Sequence, residues 1–252
     1  KSYQMNILVC ISNVPDTTSK INFKDQNEAF DTNGVQFIIN PNDEFGLTRA
    51  IWLQQKSGAK VTVVTIGDSS CEPILRKCLA IGADQAIRID AHPLDGFFVA
   101  SQLAALCKKE TYDLIITGRE SIDYNGAMVG GMLATMLSLP YVANCIQMDV
   151  EGTNVSLQRE IDGGKETLIS TFPIVLGAQK GLVEESDLII PNMRGIMQAR
   201  QKQLTVESAI TLNQATSVKI FEKPPEKGPV KLVDSNDVDG LIELLQNEAK
   251  VL

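Results

Sequence analysis

The segment from Tyr112 to Ala134 (YDLIITGRESIDYNGAMVGGMLA) contains the residue types that could bind an anion. It predicts a buried strand at Leu114–Ile116, a turn at Gly118, a polar loop and a helix that begins near Gly126. A strand end followed by glycine and a helix N-terminus presents free N–H groups and a positive dipole end to a ligand. The loop taken alone is equally consistent with an ordinary tight connection between a strand and a helix. It matches neither the Walker loop nor the G-x-G-x-x-G pattern.

Side chains for covalent catalysis do not form a recognisable set in this sequence. There is one histidine, His92, and we interpret it as a solvated loop residue. The sequence has no G-x-S-x-G or H-E-x-x-H motif. The acidic pairs Asp43-Glu44 and Glu184-Glu185 are interpreted as helix caps and solvated loop groups. A nucleotide-type loop without reacting side chains indicates binding or electron transfer, with no catalytic residue and no metal site in this chain.

Composition narrows the class of protein and its location. The net charge of −8 argues against a general nucleic-acid binder. No apolar run reaches the ~18–20 residues that a membrane span needs, so we expect no membrane insertion. The five cysteines are odd in number and lack C-x-x-C spacing, and several lie in apolar segments. This favours reduced, buried thiols and a cytoplasmic location.

The elements that must position the loop alternate between strand and helix. This alternation predicts an α/β fold with a parallel sheet covered by helices on both faces. Apolar runs indicate parallel strands, and 3.6-residue periodicity with caps indicates helices. The predicted strands, besides the one at Leu114–Ile116, are Met5–Ser12, Lys60–Ile66, Gln85–Ile89 and Pro173–Leu176. The predicted helices are Asn40–Lys56 with polar N-terminal residues supplying a cap, Ser69–Ile81 and Phe97–Lys109.

Antiparallel excursions interrupt this alternation. The first is predicted from Lys20–Phe23 and Val35–Ile39 around the Asn33-Gly34 turn. The second follows Pro140 and is predicted to contain the antiparallel strands Val142–Val150, Val155–Arg159 and Glu166–Thr171. A long loop at Val183–Gly195 and a short basic helix at Met193–Lys202 are predicted next.

The C-terminal part has the composition of an extension. Prolines at 224, 225 and 229 predict an extended arm over Ser217–Val233. An amphipathic helix is predicted over Asp234–Lys250. From composition alone, the arm and helix could pack on a partner chain or fold back on their own domain.

Five segments, in order, resemble the β subunit of electron transfer flavoproteins. The pair REIDGGKET and PNMRGIMQARQKQL is the most specific, because short Asn-Pro and Gly-Gly patterns are common alone. The segments are ILVCISNVPD at Ile7–Asp16, NPNDE at Asn40–Glu44, GRESID…VGGMLA at Gly118–Ala134, REIDGGKET at Arg159–Thr167 and PNMRGIMQARQKQL at Pro191–Leu204.

The resemblance implies a five-stranded parallel sheet of the adenine-nucleotide alpha-hydrolase type. It divides the chain into an adenine-nucleotide-binding domain (1–212) and an arm with a helix (213–252) that packs on an α subunit. It implies a heterodimer that passes electrons from acyl-CoA or other flavin dehydrogenases to a quinone reductase or similar acceptor. FAD is then held mainly by the α subunit, and the β subunit binds AMP, so we expect an electron carrier and not an enzyme.

Two other functions stay open. In the electron-bifurcating branch of the family, the same cavity of the β subunit holds a second FAD. A protein of a different class, a nucleotide-binding or nucleotide-hydrolysing protein, could have the same fold.

When the residues of the family's nucleotide pocket are matched to this sequence one by one, they lie at the ends of three predicted strands and at one helix N-terminus. Such an edge is where open α/β sheets bind ligands. Backbone N–H groups of Ala127–Gly130 would suit a phosphate, and Asp123 would suit ribose hydroxyls or backbone contacts. The implied residues are Cys10, Asn40, Pro41, Asn42, Asp43, Ile66, Gly118, Arg119, Glu120, Ser121, Ile122, Asp123, Tyr124, Asn125, Gly126, Ala127, Met128, Val129 and Gly130.

The loop departs from the family pattern at one place that matters for the ligand. AMP-binding members are expected to have polar side chains just before Gly130, and this chain has Ala127, Met128 and Val129. The ending A-x-V-G is nearer the bifurcating pattern, whereas Tyr124-Asn125-Gly126 does not match that branch. Three alternatives therefore stay open at this point: AMP, FAD or a site without a nucleotide.

The resemblance also implies contacts with partners. Met193 takes the place of an apolar anchor, in a recognition loop at about 184–195, that docks dehydrogenases, and Met suits a binder of several partners. Glu160 matches a carboxylate that helps to hold the mobile FAD domain of the α subunit. Arg194, Arg200 and Lys202 are expected to contact partners or the α subunit.

Overall fold

A computed structural model describes residues 4–226 and 228–252, and residues 1–3 of the predicted first domain and Lys227 of the arm lie outside the described residues. The strands are β1 (Asn6–Cys10), β2 (Asn13–Pro15), β3 (Asn22–Lys24), β4 (Ala29–Asp31), β5 (Phe37–Ile39), β6 (Lys60–Ile66), β7 (Gln85–Asp90), β8 (Leu114–Gly118), β9 (Tyr141–Glu151), β10 (Asn154–Ile161), β11 (Gly164–Thr171), β12 (Ile174–Ala178) and β13 (Leu204–Ser208). The α-helices are α1 (Pro41–Ser57), α2 (Glu72–Ile81), α3 (Gly96–Cys107), α4 (Val129–Leu137), α5 (Met193–Ala199) and α6 (Val238–Leu244).

A nine-stranded sheet forms the centre of the molecule, in the order β11-β10-β9-β12-β8-β1-β6-β7-β13. The seven strands from β9 to β13 in this order are mutually parallel, and β10 and β11 extend the sheet as antiparallel hairpins. The predicted α/β class with a mostly parallel central sheet is therefore confirmed.

The sequence predicts five parallel strands, and the sheet has seven. The short strand β13 pairs with β7 at one edge, and its half-exposed sequence LTVES lacks the apolar run of a central strand. β9 was predicted to be only antiparallel, but its first residues pair in parallel with β12 before the strand continues antiparallel to β10. One long strand thus belongs to both parts of the sheet, which its alternating pattern did not reveal.

Two core clusters cover the two faces of the sheet. Successive residues of β1 point to opposite faces, because side chains alternate along a strand. Ile7 belongs to the cluster that contains Leu47 of α1, and Leu8 belongs to the cluster that contains Leu103 of α3. α1 and α2 therefore cover one face, and α3 and α4 cover the other. This arrangement holds the C-terminal ends of the parallel strands at one edge of the sheet.

The first predicted excursion pairs differently from the prediction. β3 pairs with β4, and β5 pairs with β2, so the segments at 20–23 and 35–39 are not partners. Asp25, Gln26 and Asn27 all have positive φ and form the turn between β3 and β4. Asp and Asn tolerate this conformation, and three such residues in a row close the hairpin before the Asn33-Gly34 turn is reached.

One helix begins later than predicted, and another begins at the predicted residue. α4 begins at Val129 instead of near Gly126, because Asn125 and Ala127 have φ of 50° and 49° and cannot belong to a right-handed helix. α5 begins at Met193 as predicted and ends at Ala199 instead of Lys202, and the predicted loop at 183–195 also contains a 3₁₀ turn at Glu185–Asp187.

The final helix is shorter than predicted and follows an irregular arm. α6 leads into a π-helical segment at Leu245–Ala249. Two parts of the arm lie on the chain's own domain. Asp95 Oδ2 accepts hydrogen bonds from the backbone N–H groups of residues 215 and 216. Phe221 stacks on Phe23 with ring centroids 4.9 Å apart. The division at residue 212 stays a prediction.

Candidate functional site

Four chain segments meet at the C-terminal edge of the sheet. β1 lies between β6 and β8, so Cys10, Ile66 and Gly118 end three adjacent parallel strands. The N-terminus of α1 packs at the same edge through Asn40 and Asp43, which are both buried. Ligands bind beyond such strand ends in open α/β sheets, which makes this edge the candidate site.

The buried side chain of Asn40 fixes the start of the loop after β8. Its Nδ2 donates to the carbonyl oxygen of Glu120 at 2.9 Å, and its Oδ1 accepts from the backbone N–H of Ile122 at 3.2 Å. Asn42 Nδ2 also donates to the Glu120 carbonyl, at 3.1 Å. The polar residues at the start of α1 were predicted to supply its cap, but Asn40, which occupies the cap position, forms no side-chain cap bond. Its hydrogen bonds hold the loop instead.

Asp43 connects the ends of two strands at the start of α1. Its Oδ2 accepts from the backbone N–H of Ser12 at 2.7 Å, just beyond β1. Burial raises the pKa of Asp43 to about 7, although hydrogen bonds from Ser12, Asn40 and the backbone of Gly118 favour the charged form. The group therefore titrates near neutral pH at the junction of these segments.

Close packing requires glycine at two positions of the site. A Cβ on Gly118 would collide with a carboxylate oxygen of Asp43 and lie 2.9 Å from the Cβ of Asn42. A Cβ on Gly130 would lie 2.7 Å from the Oγ1 of Thr117 and 2.8 Å from the ring of Tyr141. Glycine at these two positions lets the loop and α4 approach the sheet closely.

The N-terminus of α4 has open backbone donors. Met128 occupies the cap position and, among the residues that the structure describes, no side chain caps this helix. The first N–H groups of a helix have no acceptor within the helix itself. They carry the positive end of the helix dipole and can bind an anionic group.

The predicted pocket residues differ in their exposure. Asp123 is already engaged locally, because its Oδ1 accepts from the backbone N–H of Tyr124 at 2.9 Å. Cys10 is buried, and burial raises the pKa of its thiol well above the usual value, so it packs as a neutral group. Buried residues of the set are Cys10, Asn40, Asp43 and Gly130; half-buried are Pro41, Asn42, Ile66, Gly118, Glu120, Ser121, Ile122 and Val129; exposed are Arg119, Asp123, Tyr124, Asn125, Gly126, Ala127 and Met128.

A cleft of about 480 Å³ lies beside the start of the loop. Gln179 lies in its wall and was missed by the sequence predictions, because a single polar residue after a strand has no distinctive pattern. Ser12 was missed for the same reason, and Tyr141 was missed because an aromatic residue at the start of a strand has no pattern specific to a site. The cleft is lined by Asn42, Arg119, Glu120, Glu160, Gln179 and Lys180.

The predicted partner-binding segment is exposed. Met193 is 74% exposed, so it does not cover the chain's own core. Met197 is exposed one helical turn after Met193, and Ile190 is exposed just before the helix begins. Arg194 and Arg200 are exposed as well.

Lys202 differs from the expected partner contact. Its Nζ donates to the carbonyl oxygens of Leu79 and Ala83, at 3.0 and 2.7 Å. These carbonyls lie at the C-terminal end of α2, where a cation is stabilised by the helix dipole. Lys202 therefore stabilises the fold of this chain, and burial lowers its pKa.

Three further features concern metal ligands, long apolar helices and cysteines. Within residues 4–226 and 228–252, no cluster of three His, Cys, Asp or Glu side chains is placed to bind a metal ion. Over the same ranges, no helix is both long and apolar enough to span a bilayer. All five cysteines are free thiols, and four of them are buried.

The comparisons with known proteins agree on one family. The family model described as electron transfer flavoprotein domain matches residues 28–212. The chain is 31% identical to the electron transfer flavoprotein subunit beta of Bacillus subtilis (strain 168), over 98% of this chain and 100% of the relative. It is 33% identical to the subunit beta of Mus musculus, over 93% of this chain and 95% of the relative.

The chain belongs to the electron transfer flavoprotein beta-subunit family. The resemblance inferred from the five sequence segments is thereby confirmed. The matched residues 28–212 include α1, β6, β8, α4 and α5, whereas β1 with Cys10 precedes the matched range.

Proposed function

We propose that this chain is the nucleotide-binding β subunit of a heterodimeric electron transfer flavoprotein. The observation that carries the proposal is the junction of Asn40, Asp43 and Gly118 at the sheet edge of a family member. This junction holds the loop at 119–128 in front of an uncapped helix N-terminus. Such an arrangement suits a phosphate-bearing ligand, and it offers no side chain for covalent chemistry. We therefore infer an electron carrier subunit and not an enzyme.

AMP is the first candidate for the nucleotide in this chain. The backbone N–H groups of Ala127–Gly130 would hold its phosphate, because the side chains there are apolar or absent. Asp123 would accept from ribose hydroxyls if its bond to Tyr124 opened. The remaining predicted pocket residues would surround the nucleoside at the strand ends. AMP bound in this way has a structural role, and it transfers no electrons.

A second FAD is the alternative for the same site. The A-x-V-G ending of the loop, at Ala127 to Gly130, is nearer the pattern of the bifurcating branch, and this observation favours FAD. Tyr124 is 69% exposed and Met128 is 44% exposed, so both could cover an aromatic ring system. A chain with FAD here would belong to the electron-bifurcating branch.

The partners are proposed from exposed apolar surface. Val230, Leu232, Val251 and Leu252 of the C-terminal extension are each more than two-thirds exposed. Such side chains are commonly covered at protein interfaces, and we assign them to an α subunit that holds the redox FAD. Glu160 would help to hold the flavin domain of that subunit. The flavin supplies the electron transfer, and this chain binds and orients its partners.

The surface around Met193 is proposed to dock the electron donors. Ile190, Met193 and Met197 are all exposed and lie close to Arg194 in the sequence. Flavin dehydrogenases such as acyl-CoA dehydrogenases would bind here, and a quinone reductase or similar protein would accept the electrons. We place the complex in the cytoplasm, because the cysteines are free thiols.

The experiment that tests the function is co-expression with the α subunit and analysis of the purified complex. A stable 1:1 flavoprotein is expected. A chain that stays alone in the presence of that subunit would contradict the proposal. Measurable ATP turnover by the purified chain would instead support a nucleotide-hydrolysing protein.

A further inference from the structure

Gln179 and Arg119 lie side by side because their strands are paired. Gly118 is the last residue of β8 and Ala178 is the last residue of β12, and these two residues are register partners. The backbone N–H of Arg119 donates to the carbonyl oxygen of Ala178 at 2.8 Å. The first residues after the two strands therefore start from a fixed position at the sheet edge.

The side chain of Gln179 connects two charged groups of opposite sign. Its Nε2 donates to Glu160 Oε2 at 2.6 Å, and its Oε1 accepts from Arg119 Nη1 at 3.3 Å. Gln179 is 6% exposed, so its amide depends on these protein partners. A flipped amide would place NH₂ against the guanidinium and oxygen against the carboxylate. The charges on either side therefore fix one orientation of the amide.

Arg119 is the fixed end of this connection. Its guanidinium pairs with the Glu120 carboxylate at 2.9 Å. The backbone carbonyl of Glu120 accepts from the amides of Asn40 and Asn42. Arg119 is therefore tied to the buried junction of the proposed nucleotide site.

Glu160 is the exposed end of this connection. It lies on β10, in the antiparallel extension of the sheet, and it lines the cleft beside Gln179. An exposed glutamate near the end of a strand has many rotamers, and a partner that binds it must first restrict them. The hydrogen bond from Gln179 restricts the carboxylate through one oxygen and leaves it at the cleft.

We propose that Gln179 is a positioning residue that orients the Glu160 carboxylate for the flavin domain of the α subunit, with Arg119 as its anchor. This inference rests on the proposed function, which supplies the partner. Gln179 itself touches neither the flavin nor a dehydrogenase in this proposal. It acts only through Glu160.

The test compares FAD release from the complete heterodimer in matched variants. Gln179→Met keeps the size of the side chain and removes both hydrogen bonds. Glu160→Gln removes the charge that Gln179 orients, and the double variant removes both. FAD release is followed by the rise in flavin fluorescence, at low and at high salt. The melting temperature of each complex shows whether it has folded normally.

The expected result is faster FAD release from Gln179→Met by about fivefold, the factor that corresponds to one ordinary hydrogen bond. The double variant should release FAD no faster than Glu160→Gln alone. Salt should speed release from the wild-type complex and have a smaller effect on Gln179→Met, because a disordered carboxylate makes a weaker charge contact. A merely structural role would not change the salt dependence.

Two results would overturn the inference. One is FAD release from Gln179→Met at the wild-type rate. The other is an equal acceleration by Gln179→Met in the wild-type and Glu160→Gln backgrounds, which would show that Gln179 does not act through Glu160. If Gln179→Met does not fold, Gln179→Asn replaces it, since that amide is one methylene too short to join both partners.

The wild-type complex separates this test from a failure of the proposed function. If the chain forms no flavin-containing heterodimer, the proposed function fails, and the inference fails with it. If the heterodimer forms and contains FAD, only the comparison of the variants decides the role of Gln179.

Discussion

The amide of Asn40 donates to the backbone carbonyl of Glu120 across 2.9 Å, between two residues that are 80 positions apart in the chain. This bond joins the start of α1 to the loop after β8. The loop leads to the N-terminus of α4, so the position of Asn40 controls where the open backbone donors of α4 lie. The proposed nucleotide site therefore depends on a buried side chain that need not touch the nucleotide's phosphate.

Replacement of Asn40 by Asp should weaken nucleotide binding and destabilise the fold. Aspartate can still accept from the N–H of Ile122, but it cannot donate to the Glu120 carbonyl when ionised. We expect a loss of about 1–3 kcal/mol in the free energy of unfolding, measured by urea denaturation. Asn42→Asp is the matched control on the same carbonyl, at a half-buried position, and its effect should be smaller. Equal stability of Asn40→Asp and wild type would contradict the role assigned to Asn40.

The free energy of unfolding should fall between pH 4 and pH 7 because of Asp43. Its folded-state pKa is about 7, against 3.8 for the ordinary group, so the folded chain binds the proton more tightly than the unfolded chain does. Stability from this group is present below the unfolded pKa and is lost as the pH rises through the folded pKa. The size of the effect is on the order of a few kcal/mol.

The comparison of Asp43→Asn with wild type isolates this contribution from those of other titrating groups. The difference between their free energies of unfolding should change in favour of the variant as the pH rises from 4 to 8. Chemical denaturation at several pH values measures it. A difference that stays constant over this range would show that Asp43 does not titrate there.

Gly118→Ala should disrupt the strand-end junction. The added methyl group would collide with Asp43 and Asn42, and we expect a cost of about 1–3 kcal/mol together with a loss of bound nucleotide. Gly164→Ala is the control, because no atom lies within 4 Å of the Cβ that it would add. Thermal unfolding and nucleotide content should change for the first variant only. If both variants have the same melting temperature and nucleotide content, the close packing at Gly118 contributes neither to stability nor to nucleotide binding.

Phe221→Ala should loosen the arm in the isolated chain. Phe221 stacks on Phe23, and its backbone N–H donates to the carbonyl oxygen of Asn27 at 2.8 Å. Aromatic pairs contribute about 0.5–1.5 kcal/mol beyond burial, so limited proteolysis within the arm should become roughly two- to tenfold faster. Leu232→Ala, at an arm position that is 88% exposed, should leave the rate unchanged. Unaltered proteolysis of Phe221→Ala would mean that the stack does not hold the arm.

The central strands could be predicted because their local sequence already determines them. The apolar run of β6 has the predicted bounds Lys60–Ile66, since a strand buried on both faces needs no alternation. β13 and the parallel half of β9 could not be predicted in the same way. Their pairing depends on neighbours that are distant in the sequence, and their own patterns are half-exposed or alternating.

The candidate site was predictable in its location but not in its hydrogen bonds. Strand ends, Gly118 and the resemblance pointed to this edge of the sheet. The left-handed conformation of Ala127, which delays α4, has no sequence signal, because alanine favours helices. The contacts of Gln179 could not be predicted, because they depend on the pairing of β8 with β12 and on the position of Glu160 at the end of β10.

The most direct test of the account is the identity and number of nucleotides released when the purified heterodimer is denatured by heat. Mass spectrometry and flavin absorbance measure both quantities in one sample. We predict one FAD and one AMP for each heterodimer. Two FAD and no AMP would show that AMP is the wrong ligand and that the bifurcating alternative is correct. A heterodimer with FAD in the α subunit and no nucleotide in this chain would contradict the central claim that the junction of Asn40, Asp43 and Gly118 builds a nucleotide site.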